Sequence, residues 1–95
     1  MSVDKERNSN MKMNRINFDS IVRRDAYRNG FPNYKLMDGM VATLSSTFHK
    51  GCVEVSYDED EGYIVYDVVS GVEFVVGAEA NLATKLRELA EYYIG

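Results

Sequence analysis

Apolar positions along this chain follow two rhythms, and each predicts a different kind of element. From Glu79 to about Tyr93, Leu82, Leu86, Leu89, Ala90 and Tyr93 recur at three- and four-residue spacing, the pattern of a helix with one buried stripe. Glu79 suits the positive end of that helix's dipole. Upstream, residues 52–57, 63–69 and 72–76 are dense in Val, Ile, Tyr and Phe and alternate as strands do. The alternation sets Val53, Val55 and Tyr57 on one face, joined by Ile64, Tyr66 and Val68 and then by Val72, Phe74 and Val76, with Glu54, Asp67 and Glu73 turned away. Residues 58–62 read as a loop and Ser70-Gly71 as a tight link, so the three strands form an antiparallel meander.

A helix is also expected from Phe18 or Asp19 to Arg28. Asp19 or Ser20 caps it, Ile21, Val22 and Ala26 share one side, and Asn29-Gly30 stops it. Residues 35–49 are harder to assign. Met37, Met40, Val41, Leu44 and Phe48 have helical spacing, which favours a second helix, although Gly39 and the run Thr43 to Thr47 form helices poorly. Residues 1–13 show no period and read as a flexible leader to a single domain over 14–95. The predicted fold class is α+β: a three-stranded antiparallel β-meander packed by a C-terminal helix, with one or two N-terminal helices. The order is α-α-β-β-β-α, or α-β-β-β-β-α should 40–48 be a strand.

Composition narrows the class. Ninety-five residues give one small core, and 45% hydrophobic content excludes wholesale disorder. One cysteine, Cys52, forms no internal disulfide, which favours a reducing compartment. No apolar run reaches the length of a membrane span, and the polar N-terminus lacks a signal-peptide pattern. A cytoplasmic protein is expected.

Charge changes the picture most. Residues 1–50 carry nine Lys/Arg against five Asp/Glu, whereas residues 51–95 carry two against ten. Four of those ten are consecutive: Asp58, Glu59, Asp60 and Glu61. They lack the alternating ligand positions, central glycine and terminal glutamate of a calcium loop. His49 and Cys52 form the only combination suggesting a nucleophile, without an orienting partner in view. One His and one Cys cannot close a zinc site, and neither glycine-rich phosphate signature is present. No catalytic residues, metal or cofactor are expected.

Two binding readings remain. Tyr57 and Tyr63 flank the four carboxylates, so an acidic hairpin edged by phenol rings would dock on a protein partner with a basic surface. In size and charge the chain resembles small acidic phage inhibitors, anti-CRISPR proteins among them. That likeness implies an inhibitor or regulator that mimics nucleic acid, and it extends to no shared motif. The second reading is a small DNA- or RNA-binding regulator that uses Arg23, Arg24, Arg28 and Lys35. Its helix–helix–strand order loosely resembles a winged helix, but a wing bearing four carboxylates would be repelled by phosphates. Opposite charge on the two halves also permits a dimer beside the monomer.

Overall fold

The computed structural model describes residues 13–94. Helix α1 spans Arg15–Arg28, and strands β1 (Asn33–Leu36), β2 (Val41–Ser45), β3 (Cys52–Asp58), β4 (Gly62–Asp67) and β5 (Val72–Gly77) follow before helix α2 (Glu79–Ile94). The strands form one antiparallel sheet in the order β1-β2-β3-β4-β5. The α+β class holds. Among the described residues the meander has five strands rather than three, and one helix precedes it, the lower of the one or two expected. All but residue 13 of the expected leader lies outside the described residues.

The expected second helix is a β-hairpin. Gly39 takes φ +73° between β1 and β2, and the Met37 N–H donates to the Val41 carbonyl at 2.7 Å. Of the five apolar residues that suggested a helix, Leu44 alone is fully buried; Met37 and Phe48 are exposed. Burial instead follows the two-residue period of a strand through Ala42 and Leu44. Thr43 and Ser45, poor in a helix, sit readily on the sheet's other face.

Helix α1 starts earlier than its apolar pattern suggested, because Asn14 rather than Asp19 or Ser20 caps it. The Asn14 carboxamide oxygen accepts from the Asn17 N–H at 2.8 Å. Its buried stripe is Phe18, Val22, Asp25 and Ala26, and Ile21 packs at the margin. In α2 the buried residues are Leu82, Leu86, Leu89 and Ala90, as the spacing predicts. Both helices cover one face of the sheet, against Ala42, Leu44, Val53, Val55, Tyr63 and Val65.

The register corrects the expected face of β4. Tyr57 pairs with Tyr63, Val55 with Val65 and Val53 with Asp67, so Tyr63, Val65 and Asp67 point to the core. Ile64 and Tyr66 lie on the open face. Strand β4 is apolar on both sides, so alternation alone could not choose between them. Asp67, the residue that suggested an outward face, is buried because its carboxylate is fully bonded. The β4–β5 connection has four residues, not two, and closes with the Gly71 N–H on the Asp67 carbonyl at 2.7 Å.

Candidate functional site: the acidic end of the sheet

In an antiparallel meander, alternate turns fall at the same end of the sheet. The β1–β2 turn, the β3–β4 turn and the β5-to-α2 junction therefore lie together. They bring exposed Asp38, Asp58, Glu59, Asp60 and Glu61 beside Glu79. Nearby cations are already engaged. Arg15 donates from Nε to the Gly39 carbonyl at 3.0 Å and from Nη2 to the Met37 carbonyl at 2.9 Å, which holds the β1–β2 turn onto α1. Arg24 bonds Asp25 and Glu79.

The four consecutive carboxylates do different jobs. Asp58 Oδ2 accepts from the N–H groups of Asp60 at 2.9 Å and Glu61 at 3.0 Å, so this side chain shapes its own turn. Glu59, Asp60 and Glu61 are exposed. The tip is also locked to the end of β5: Gly62, at φ +82°, packs so closely on Gly77 that a Cβ there would lie 2.4 Å from the Gly77 carbonyl oxygen.

The two tyrosines do not edge this tip as equals. Tyr63 is 3% exposed, its ring near Phe18 (6.4 Å) and edge-on to Tyr57 (5.0 Å). Its hydroxyl has no hydrogen-bond partner, and burial pushes the phenol up to about 12. Tyr57 is half-buried against the same cluster. Tyr63 is therefore a core residue beneath the acidic end, and Tyr57 alone reaches toward the surface.

The residues of the nucleic-acid reading fall on two surfaces, the three arginines on α1 and Lys35 on the sheet. Arg23 lies over the Tyr34 ring at 4.5 Å and pairs with Asp19 at 3.1 Å. Together with Arg24, Tyr27 and Pro32 it lines an open groove of about 660 Å³ along α1. Lys35 pairs with Thr43 on the sheet face away from α1, and Arg28 sits exposed in the last turn of the helix. No single phosphate-facing stripe joins the four.

His49 and Cys52 also part company. His49 Nε2 meets the Gly30 carbonyl at 2.9 Å and Nδ1 accepts from the Gly51 N–H at 3.0 Å, so both ring nitrogens are engaged by backbone. Its ring packs edge-on to Phe31 and stacks with Tyr93. Cys52 pairs with Ser45 on the open face, and burial, with Glu54 and Asp67, raises its thiol pKa, opposite to what a nucleophile needs. Among the described residues no group of three or more His, Cys, Asp or Glu side chains is placed to hold a metal ion. No described helix is long and apolar enough to cross a membrane.

One polar cluster has no counterpart in the sequence-based expectations. Asp25 is 4% exposed; its Oδ1 meets Arg24 Nε at 3.4 Å, while Oδ2 has no partner and Glu79 lies nearby. Desolvation, then the neighbouring Glu79 carboxylate, raise Asp25 to about 6 against the opposing Arg24, with the Tyr63 phenol close by. The signal was available: Phe18, Val22 and Asp25 stand at i, i+4 and i+7, on the buried stripe. The folded state thus holds the Asp25 proton more tightly than the unfolded chain does. Its stabilisation is complete below pH 4 or so and is lost as pH rises through about 6. A shift of roughly two units corresponds to about 2–3 kcal/mol. Urea unfolding of wild type and Asp25→Asn at several pH values should show this limb in the wild type and its absence in the variant. Parallel pH profiles for the two proteins would refute the buried-carboxyl account.

No family model, curated protein or solved structure matches this chain.

Proposed function

We propose that this chain is a small non-catalytic binding protein of the cytoplasm, an inhibitor or regulator that docks its acidic end on a basic protein surface. The reading rests on one observation: the topology gathers Asp38, Glu59, Asp60 and Glu61 at one end, while Arg15 and Arg24 are tied to carbonyls and carboxylates of their own. Such a potential steers encounter with a cationic groove, as it would for an inhibitor that imitates phosphate spacing. Tyr57 adds apolar area at the margin, and Asp58 and Tyr63 contribute by holding the tip rather than by contact. Nucleic-acid binding through Arg23, Arg24, Arg28 and Lys35 is less favoured, because Arg23 and Arg24 are paired with carboxylates and Lys35 lies on the sheet face away from α1.

The test spares the structural residue. Glu59→Gln, Asp60→Asn and Glu61→Gln together remove three charges and leave the Asp58 turn intact. Immobilised wild-type protein should retain a basic partner from its native cell, with an association rate that falls as salt rises. The triple variant should lose that partner at least tenfold with unchanged circular dichroism. Equal retention by both proteins would take the acidic end out of the account.

A further inference from the structure

Opposite the acidic end the molecule exposes a cluster of apolar side chains. The β2–β3 loop, the β4–β5 turn and the last turn of α2 meet there, leaving Phe48 83%, Tyr92 73% and Ile94 67% exposed, with Val68, Val69 and Val72 open beside them. Tyr93 ties these segments together. Its hydroxyl bonds Asp67 at the start of the β4–β5 turn, and its ring packs on His49, next to Phe48, and on Tyr92. The Val68 N–H donates to the Cys52 carbonyl at 3.0 Å, joining the turn to the start of β3 just after the loop. Val72 and Tyr92 also line an open groove of about 380 Å³ with Phe74 and Leu89, bordered by Asp67, Ser70, Lys85 and Glu88.

The six residues leave on the order of 600–700 Å² of accessible surface, most of it apolar, comparable to the largest patch of an ordinary monomer. That area approaches the ~800 Å² which each partner buries in an interface of standard size. We infer that a second copy of this chain docks on this end, in a two-fold dimer closed by the same patch on both copies. The charge of the surroundings agrees: Lys50 on the loop and exposed Glu91 on α2 flank the patch with opposite signs, which a two-fold axis can set against each other. A patch built for a strongly charged partner would carry one sign. The dimer stands independently of the function proposed for the acidic end, and it has a consequence for it. End-to-end pairing directs the two acidic ends away from each other, so the assembly presents two docking points.

Light scattering coupled to size exclusion, run on the full chain over a broad dilution series, tests this. The expected mass is twice the 10.8 kDa of one chain, unchanged or firmer at high salt. Phe48→Ser with Val69→Asp should halve that mass without altering circular dichroism, since both side chains are exposed. The Glu59→Gln, Asp60→Asn, Glu61→Gln protein should keep the dimer mass, which separates this interface from the acidic end. A single-chain mass throughout, a dimer that survives the apolar substitutions, or one that dissociates with salt would each overturn the proposal.

Discussion

Gly62→Ala is expected to destabilise the protein by about 3 kcal/mol, a fall in Tm of roughly 10–20 °C for a domain of this size. Two costs add. At φ +82° an L side chain costs on the order of 1–2 kcal/mol for its left-handed conformation. Its Cβ would also meet backbone, lying 2.4 Å from the Gly77 oxygen and 2.8 Å from the Gly77 carbon. Backbone cannot swing aside as a flexible side chain can, so either the β4–β5 pairing or the tip must move. Gly71 supplies the control. It has φ +80°, and a methyl group there would find no atom within 4 Å, so Gly71→Ala should cost only the conformational part. Denaturant unfolding of the two variants separates strain from collision. Equal losses would mean that Gly62 and Gly77 do not approach closely. The same substitution at Gly62 should weaken partner retention, because this residue anchors the turn that presents Glu59, Asp60 and Glu61.

What the sequence made legible follows from how locally each element is determined. The α2 stripe is a property of one helix, and Leu82, Leu86, Leu89 and Ala90 are buried where their spacing puts them. Residues 35–49 misled because Met37, Met40, Val41, Leu44 and Phe48 imitate a helical face while two of them stay in solvent. The better signals were the Asp38-Gly39 turn and the β-branched and hydroxyl residues, whose meaning depends on a neighbouring strand to pair with. Of the candidate site, the carboxylate loop was readable from four adjacent acids. The inward direction of Tyr63 was not, since it depends on Asp58 pairing with Gly62 and Tyr57 with Tyr63 across the turn. Nor could the gathering of Asp38 and Glu79 at the same end be seen before the strands β1 and β2 were counted. The buried Asp25 and Asp67 were hidden by a sound general rule, that carboxylates stay in water unless they are bonded.

Asp67 is where that rule's condition is met, and Tyr93→Phe is expected to cost about 2–3 kcal/mol by removing it. The carboxylate, 3% exposed, accepts from the N–H groups of Val69 at 3.1 Å and Ser70 at 3.4 Å. The Tyr93 hydroxyl lies 2.5 Å from one oxygen and 2.6 Å from the other. Burial, and then Asp67 itself, push this phenol up to about 12, so it remains a donor across any ordinary working pH. Phenylalanine keeps the ring packed on His49 and Tyr92 but leaves Oδ2 without a partner. The charge then stays buried with fewer bonds, which costs more than a neutral hydrogen bond would. Asp67→Asn should also destabilise, and a double-mutant cycle should return a coupling of at least about 1.5 kcal/mol, as for groups in direct contact. Strict additivity would mean that the hydroxyl and the carboxylate are not bonded in solution. Because this bond fixes both the last turn of α2 and the β4–β5 turn, Tyr93→Phe should also loosen the apolar end. Its dimer should dissociate at higher protein concentration than the wild type, an effect that a change confined to the core would not produce.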